Sequence, residues 1–283
     1  MKKKIVALSM AACMAASVTA CGGSKPAETT AAATEAETTA AESAAEESSA
    51  EETKAAADIE TVTPGKLTVA TSPDFAPYEF YAIGEDGTPK LSGFDMDLAQ
   101  YIADYLGLEL EVVTVDFDGV LSELQTKSVD LGMAGLSPDE KRMGIMDFSD
   151  LYYMGGQSLV TVKDNAEKFN TFEADIVGLP KVTDIISELL TGKMDAAFIE
   201  TDVAKSYQKN YPELELVMDV PYDAEGSAIG VCKGNEALLA GVNEAIAAAK
   251  EDGSLEKFIA DAGELAAGEK YEGLLDAEGN VQN

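Results

Sequence analysis

One arginine stands among the twenty basic residues of this 283-residue chain, and the other nineteen are lysines. Arg142 lies in "GLSPDEKRMGIMDFSDLYY", flanked by acids. A solvated surface charge can usually be lysine, whereas a planar, permanently charged fork suits a bidentate grip on a carboxylate or phosphate. The competing reading is an ordinary surface arginine. Other parts of the chain supply chemistry to set beside it. Ser137 precedes it at a Gly-Leu-Ser corner, Phe75 lies in the aromatic-rich "TSPDFAPYEF", Phe117 in "VDFDG", and Glu200 closes the apolar run "DAAFIE". Arginine takes a carboxylate, glutamate takes an ammonium, and aromatics flank an apolar or planar group. That set is the complement of a free α-amino acid. The chain has no histidine, which removes His triads, imidazole acid–base chemistry and most zinc sites. Glu200 is the candidate acid or base of an enzyme, but no second catalytic group is placed opposite it, so no catalysis, metal or cofactor is expected.

An internal repeat positions these residues. "LSELQTKSVDLGMAG" (121–135) and "ISELLTGKMDAAFIE" (186–200) share Ser-Glu-Leu-x-Thr, an Asp, and then a short apolar run. Each reads as an amphipathic helix turning into a buried strand, one α/β unit used once in each of two lobes. Gly135 and Glu200 fall at the same distance beyond Asp130 and Asp195, so they are expected at corresponding strand ends. In the first lobe, Leu67–Thr71 reads as a strand. Residues 93–107 read as a helix with Phe94, Leu98, Ile102 and Tyr105 on one face, and 109–115 as the next strand. Asp95 and Asp97 read as dipole or cap residues of a first helical turn. Ligands of open α/β sheets sit beyond the C-terminal strand ends, which brings the Phe75 loop, Phe117, the Gly135–Ser137 corner, Arg142 and Glu200 to one cleft between lobes.

The ends of the chain speak to compartment. Lys2–Lys4, a short apolar run and Val18-Thr19-Ala20 before Cys21 make a secretory signal, too short to span a membrane permanently. Cys21 after small residues resembles the bacterial lipobox, which implies cleavage after residue 20 and a lipid anchor on Cys21. Cys13 leaves with the signal, so Cys232 has no partner and reads as a buried small hydrophobe. Residues 21–63 are rich in Ala, Glu, Thr and Ser without aromatics and read as a disordered spacer of roughly 35 Å. Residues 64–283 keep 42 acids against 15 bases. No basic stripe exists to neutralise phosphates, so nucleic acid is excluded as a partner.

"FAPYEF", "GFDMDLAQYIADYLG", "DFDGVLSEL", "DLGMAGLSPDEKR", "MDFSDLYY" and "DAAFIETDVA" together resemble the bacterial extracellular solute-binding proteins of family 3, over nearly all of 64–260. The resemblance implies an α/β, two-lobed periplasmic-binding-protein-like (type II) fold, with a hinge and a ligand cleft between lobes. Lobe 1 would comprise about 64–155 plus 224–270 and lobe 2 about 156–223, with hinge crossings near Met154–Gln157 and Tyr222–Ser227 and a tail at 271–283. It implies a monomeric, extracytoplasmic, lipid-anchored receptor that captures an amino acid and delivers it to the permease of an ABC-type importer. Carried over residue by residue, the stacking aromatic falls on Phe75 and the pocket wall on Phe117. Backbone and hydroxyl contacts fall on Ala134, Gly135 and Ser137, the carboxylate-binding arginine on Arg142, and the ammonium-binding acid on Glu200.

One departure stands out. Lobe 1 has a strand and helix before its second strand, whereas lobe 2 has only "DNAEKFNTFEA" between "SLVTVK" and the expected strand "DIVG" (175–178). The deficit is roughly 20–25 residues at ordinary element lengths. In the family, the absent unit carries a Gly-Thr/Ser-Thr motif at a helix N-terminus that shares the ligand carboxylate. The rival readings are therefore a family member impaired in binding, a dehydratase- or lyase-type enzyme on the same fold, and a sensory domain acting through a separate receptor.

Overall fold

The computed structural model describes residues 59–84, 87–163, 177–221 and 226–268. The proposed signal, Cys21, most of the spacer and the C-terminal tail lie outside them. In β1 (Lys66–Thr71) almost every residue is buried, the mark of a strand covered on both faces. It pairs in parallel with β5 (Glu109–Thr114) on one side and β6 (Leu131–Gly132) on the other. The crossover to β5 is α1 (Phe94–Leu106), which buries Phe94, Leu98, Ala99, Ile102 and Ala103. Its face drifts at the end. Tyr105, expected inside, is 40% exposed, and Leu106 takes the buried place. Gly107 ends the helix at φ 68°, a left-handed conformation that glycine adopts without a Cβ penalty. A second antiparallel sheet, β2 (Asp74–Phe75), β3 (Glu79–Ile83) and β4 (Pro89–Ser92), lies between β1 and α1 in the chain.

The crossover from β5 to β6 is α2 (Phe117–Thr126), capped by Asp116, whose carboxylate accepts the Gly119 N–H at 2.7 Å. This is the first copy of the repeat. Its strand is shorter than the expected run: after one more bond, Met133 N–H to Ala70 O at 2.9 Å, the chain turns at Gly135. The strands β7 (Met146–Phe148) and β11 (Gly230–Cys232) complete a sheet ordered β5-β1-β6-β11-β7. The chain thus leaves lobe 1 after β7 and returns to it as β11, antiparallel to both neighbours. Cys232 is free and buried there. Helices α5 (Glu236–Glu251) and α6 (Ser254–Gly268) pack with α1 around the same core.

Between those crossings lies lobe 2. β8 (Gln157–Val162) is central, antiparallel to β9 (Ala197–Glu200) and β10 (Leu214–Val220). The second repeat copy is α3 (Val182–Leu190) running into β9, followed directly by α4 (Thr201–Asn210). Ile186, Leu189, Val203 and Tyr207 seal the helices onto Val160 and Ile199 of the sheet. The expected strand 175–178 is not formed where it is described: Val177 and Gly178 are irregular and Val177 is 67% exposed. Residues 164–176 lie outside the described residues.

The domain also begins earlier than the composition suggests. Ile59 packs on the core beside Gly241, the Val62 N–H donates to Asp130 at 2.7 Å, and the Asn235 amide donates to Glu60 O at 2.8 Å. Residues 59–63, expected in the spacer, are therefore docked by contacts that a composition reading cannot register.

Candidate functional site

β1 and β6 point their C-terminal ends at the same edge, and the chain turns there twice. After β1, Ser72 to Tyr78 forms a tight loop around β2. After β6, Gly135 adopts φ +56°, and a Cβ placed on it would lie 2.6 Å from the Phe75 ring. Only glycine lets this corner close against that aromatic. The Phe75 ring is held in turn by Tyr78, centroid to centroid 5.1 Å.

Arg142 is fixed by the turn that carries it. Asp139 accepts the backbone N–H groups of Lys141 and Arg142 at 2.8 and 2.9 Å. It also pairs with the guanidinium, Nε to Oδ2 at 3.2 Å. The Arg142 backbone N–H, helped by the guanidinium charge, holds the Asp139 carboxyl below the usual range. A second guanidinium nitrogen donates to Ser137 O at 2.9 Å, and its plane lies over Phe117 with Cζ 5.2 Å from the ring centroid. The fork is thus anchored on one edge, a preorganised arrangement for an anion.

Glu200 faces it from lobe 2. One oxygen caps α4, accepting from Asp202 N and Val203 N at 2.8 and 2.9 Å; the other accepts from Gly156 N at 3.3 Å. Burial pushes this carboxyl up against those hydrogen bonds. A Cβ on Gly155 would come within 2.7 Å of the same carboxylate, so the hinge passes Glu200 as closely as a backbone can. At the hinge Ser227 N donates to Tyr153 O and Tyr152 N to Ser227 O. This agrees with crossings near Met154–Gln157 and at Ser227; residues 222–225 lie outside the described set.

All seven expected residues, Phe75, Phe117, Ala134, Gly135, Ser137, Arg142 and Glu200, line one cleft of about 250 Å³. That is smaller than the roughly 300–1,000 Å³ of drug-sized sites and suits a small metabolite. The sequence reading missed two acids. Asp74 lines the cleft and reaches across to lobe 2, where its carboxylate accepts Val182 N–H at 2.6 Å and Thr183 N–H at 3.3 Å. Burial pushes its carboxyl up. Glu79 also lines the cleft, beside Asp95, and both are fully buried. Neither Glu79 oxygen meets a donor of standard geometry; one Asp95 oxygen accepts the Gly135 N–H at 3.4 Å, and the Tyr152 hydroxyl lies against the pair. Burial drives Glu79 well up, and Asp95 up to about 6. Asp95 is therefore a buried partner of the Gly135 corner, in the first turn of α1 as expected but not its cap. The α1 N-terminus is capped by Gly93 without a side-chain bond.

Two α/β lobes joined by crossing strands, with a guanidinium on one wall of the cleft and a carboxylate on the other, define a two-lobed binding protein of the type II periplasmic class. The chain belongs to the bacterial extracellular solute-binding proteins, family 3, whose model matches residues 67–261. It is 30% identical over 220 residues to the arginine-binding extracellular protein ArtP of Bacillus subtilis, a match covering 68% of this chain and 84% of that protein. It is 27% identical over 217 residues to the L-cystine-binding protein TcyJ of Escherichia coli K12, covering 68% and 80%. Among solved structures, the amino acid ABC transporter substrate-binding protein AbpA of Streptococcus pneumoniae bound to L-arginine superposes with a TM-score of 0.66. It shares 30% identity, over 72% of this chain and 97% of that one.

Proposed function

We propose that this protein captures a free, cationic amino acid outside the cell and delivers it to the permease of an ABC-type importer. The observation that carries the reading is the convergence of Arg142 and Glu200 from opposite lobes on one small cleft. Arg142 takes the α-carboxylate, Glu200 the α-ammonium, and Phe75 and Phe117 flank the side chain, with Ala134, Gly135 and Ser137 supplying backbone and hydroxyl contacts. Asp74 and Glu200 together leave the cleft more negative than Arg142 can balance, which favours a ligand of net positive charge. The similarity to the arginine-binding ArtP and to the L-arginine complex of AbpA points the same way. The sequence features support a lipid anchor at Cys21 and a spacer, and the family resemblance implies a monomer. No described helix is long and apolar enough to cross a membrane. The family consists of solute-binding proteins rather than enzymes, and the backbone donors that hold Glu200 fit a binding carboxylate better than a mobile base.

The second reading is a family member whose affinity is reduced by a shortened lobe 2. It rests on one observation: the match to ArtP runs over 220 residues yet takes in 68% of this 283-residue chain, which is fewer. The relative therefore carries residues that this chain lacks. Titration of L-arginine, L-lysine, L-histidine, L-cystine and L-glutamine into the protein separates the readings. Micromolar or tighter binding of a cationic amino acid supports the first, and millimolar binding of all five the second.

A further inference from the structure

Lobe 2 offers a helix N-terminus to the cleft, that of α3, and a residue of lobe 1 occupies it. Asp74, on β2, accepts the Val182 N–H at 2.6 Å and the Thr183 N–H at 3.3 Å. Its own carbonyl accepts the Tyr207 hydroxyl of α4 at 2.8 Å. Lys181, the residue before the helix, provides no side-chain cap. The first-turn N–H groups of α3 therefore take their capping oxygen from across the cleft, where they would ordinarily take it from a neighbouring Ser, Thr, Asp or Asn. These contacts join lobe 1 to the wall formed by Pro180, Val182 and Ile185, which lines the same cleft as Arg142 and Glu200.

We propose that Asp74 is the positioning residue that holds lobe 2 closed over the cleft, with its carboxylate as the bridge between lobes and the α3 N-terminus as its receptor. A carboxylate on backbone N–H groups is a charge-assisted bond, and the helix dipole adds to it. Both bonds are part-buried, where a lower local dielectric strengthens these effects. Because only the closed form surrounds a ligand, any bias toward closure enters the apparent affinity directly through the closed fraction. Asp74 thus acts on affinity through the lobe it positions, whether or not it touches ligand.

Two variants remove the bridge from opposite ends. Asp74→Ala removes the acceptor. Val182→Pro removes the donor of the shorter bond at the first helical position, where proline is well accepted. Lys181 already has the extended conformation, φ −130° and ψ 132°, that a following proline requires. Spin labels at Gln100→Cys on α1 and Lys209→Cys on α4, in the full chain with Cys13 and Cys21 replaced by serine, report the distance between lobes without any ligand. The expected result is one short distance in the parent protein and a longer, broader distribution in both variants. L-Arginine affinity should fall about tenfold in each, with Asp74→Asn between parent and Ala because it keeps an oxygen acceptor without the charge. Unchanged distances in both variants overturn the proposal. Opening in Asp74→Ala alone also overturns it, since α3 would not be the receptor. If both variants open and no amino acid binds any form, the bridge stands and the receptor function falls.

Discussion

The guanidinium carbon of Arg142 lies 5.2 Å from the centroid of the Phe117 ring, while its edge is held by Asp139 and Ser137 O. Stacking and the lateral bonds together fix the plane of the fork. Lysine can reproduce the charge at this position but not the plane. Arg142→Lys should weaken amino-acid binding by roughly 10- to 150-fold, the loss of one charge-assisted hydrogen bond at about 1.5–3 kcal/mol. Its melting temperature should stay near that of the parent. Isothermal titration calorimetry with L-arginine checks the first and a thermal melt the second.

Gly135→Ala tests the corner itself. The added Cβ meets the Phe75 ring at 2.6 Å, and φ +56° is strained for alanine. The variant should lose about 1–2 kcal/mol of stability and also bind ligand more weakly, because the ring must move. Urea denaturation beside a ligand titration reads both effects.

How much of this was legible beforehand depends on the range of the contact. Arg142, Glu200, Phe75 and Phe117 are marked by residue type and by local pattern, and the helix–strand repeat fixes which ends they reach. Asp74 carries no such mark: its partners Val182 and Thr183 are more than a hundred residues away, and an acid in a Pro-Asp-Phe turn looks like turn chemistry. The burial of Asp95 is hidden for a similar reason. An acid in a first helical turn usually faces solvent, and nothing local shows that Glu79 lies against it. The docking of Ile59 is hidden because the segment before it is mostly Ala, Glu, Thr and Ser. The expectation that lobe 2 is shortened rests on comparing the two lobes by element count.

The Glu79–Asp95 pair has a pH signature. In the unfolded chain both carboxyls lose their protons near pH 4. Folded, Asp95 holds its proton up to about 6 and Glu79 well above the usual carboxylate range, both mainly through burial. Between these limits the folded state binds more protons than the unfolded one, so stability falls as pH rises. It is fully present below pH ~4 and is lost through pH ~6 and beyond. Tyr78, Tyr152 and Asp74 face the pair and add no positive charge to offset it. Glu79→Gln should flatten the fall in melting temperature between about pH 5 and pH 8 relative to the parent. General repulsion within this acidic chain is common to both proteins and cancels in the difference. Parallel pH slopes would remove Glu79 as the source.

At the other end of lobe 1, Asp130 is buried and accepts from Val62 N at 2.7 Å and Thr68 N at 2.9 Å. Val62→Pro deletes the first donor without touching the sheet. It should cost about 1–3 kcal/mol, or roughly 2–10 °C in melting temperature for a domain of this size, with ligand affinity unchanged. A melt and a titration on the same preparation suffice.

The central claim is that the cleft between Arg142 and Glu200 holds a cationic amino acid. Thermal unfolding of the protein against each of the twenty amino acids tests it most directly. Ligand at a hundred times its Kd adds about 2.7 kcal/mol, roughly 5–10 °C here. The account predicts such a shift with L-arginine or L-lysine that falls to about half or less in Arg142→Lys at the same ligand concentration. A cooperative transition moved by no amino acid, or one that keeps its full shift in Arg142→Lys, contradicts it.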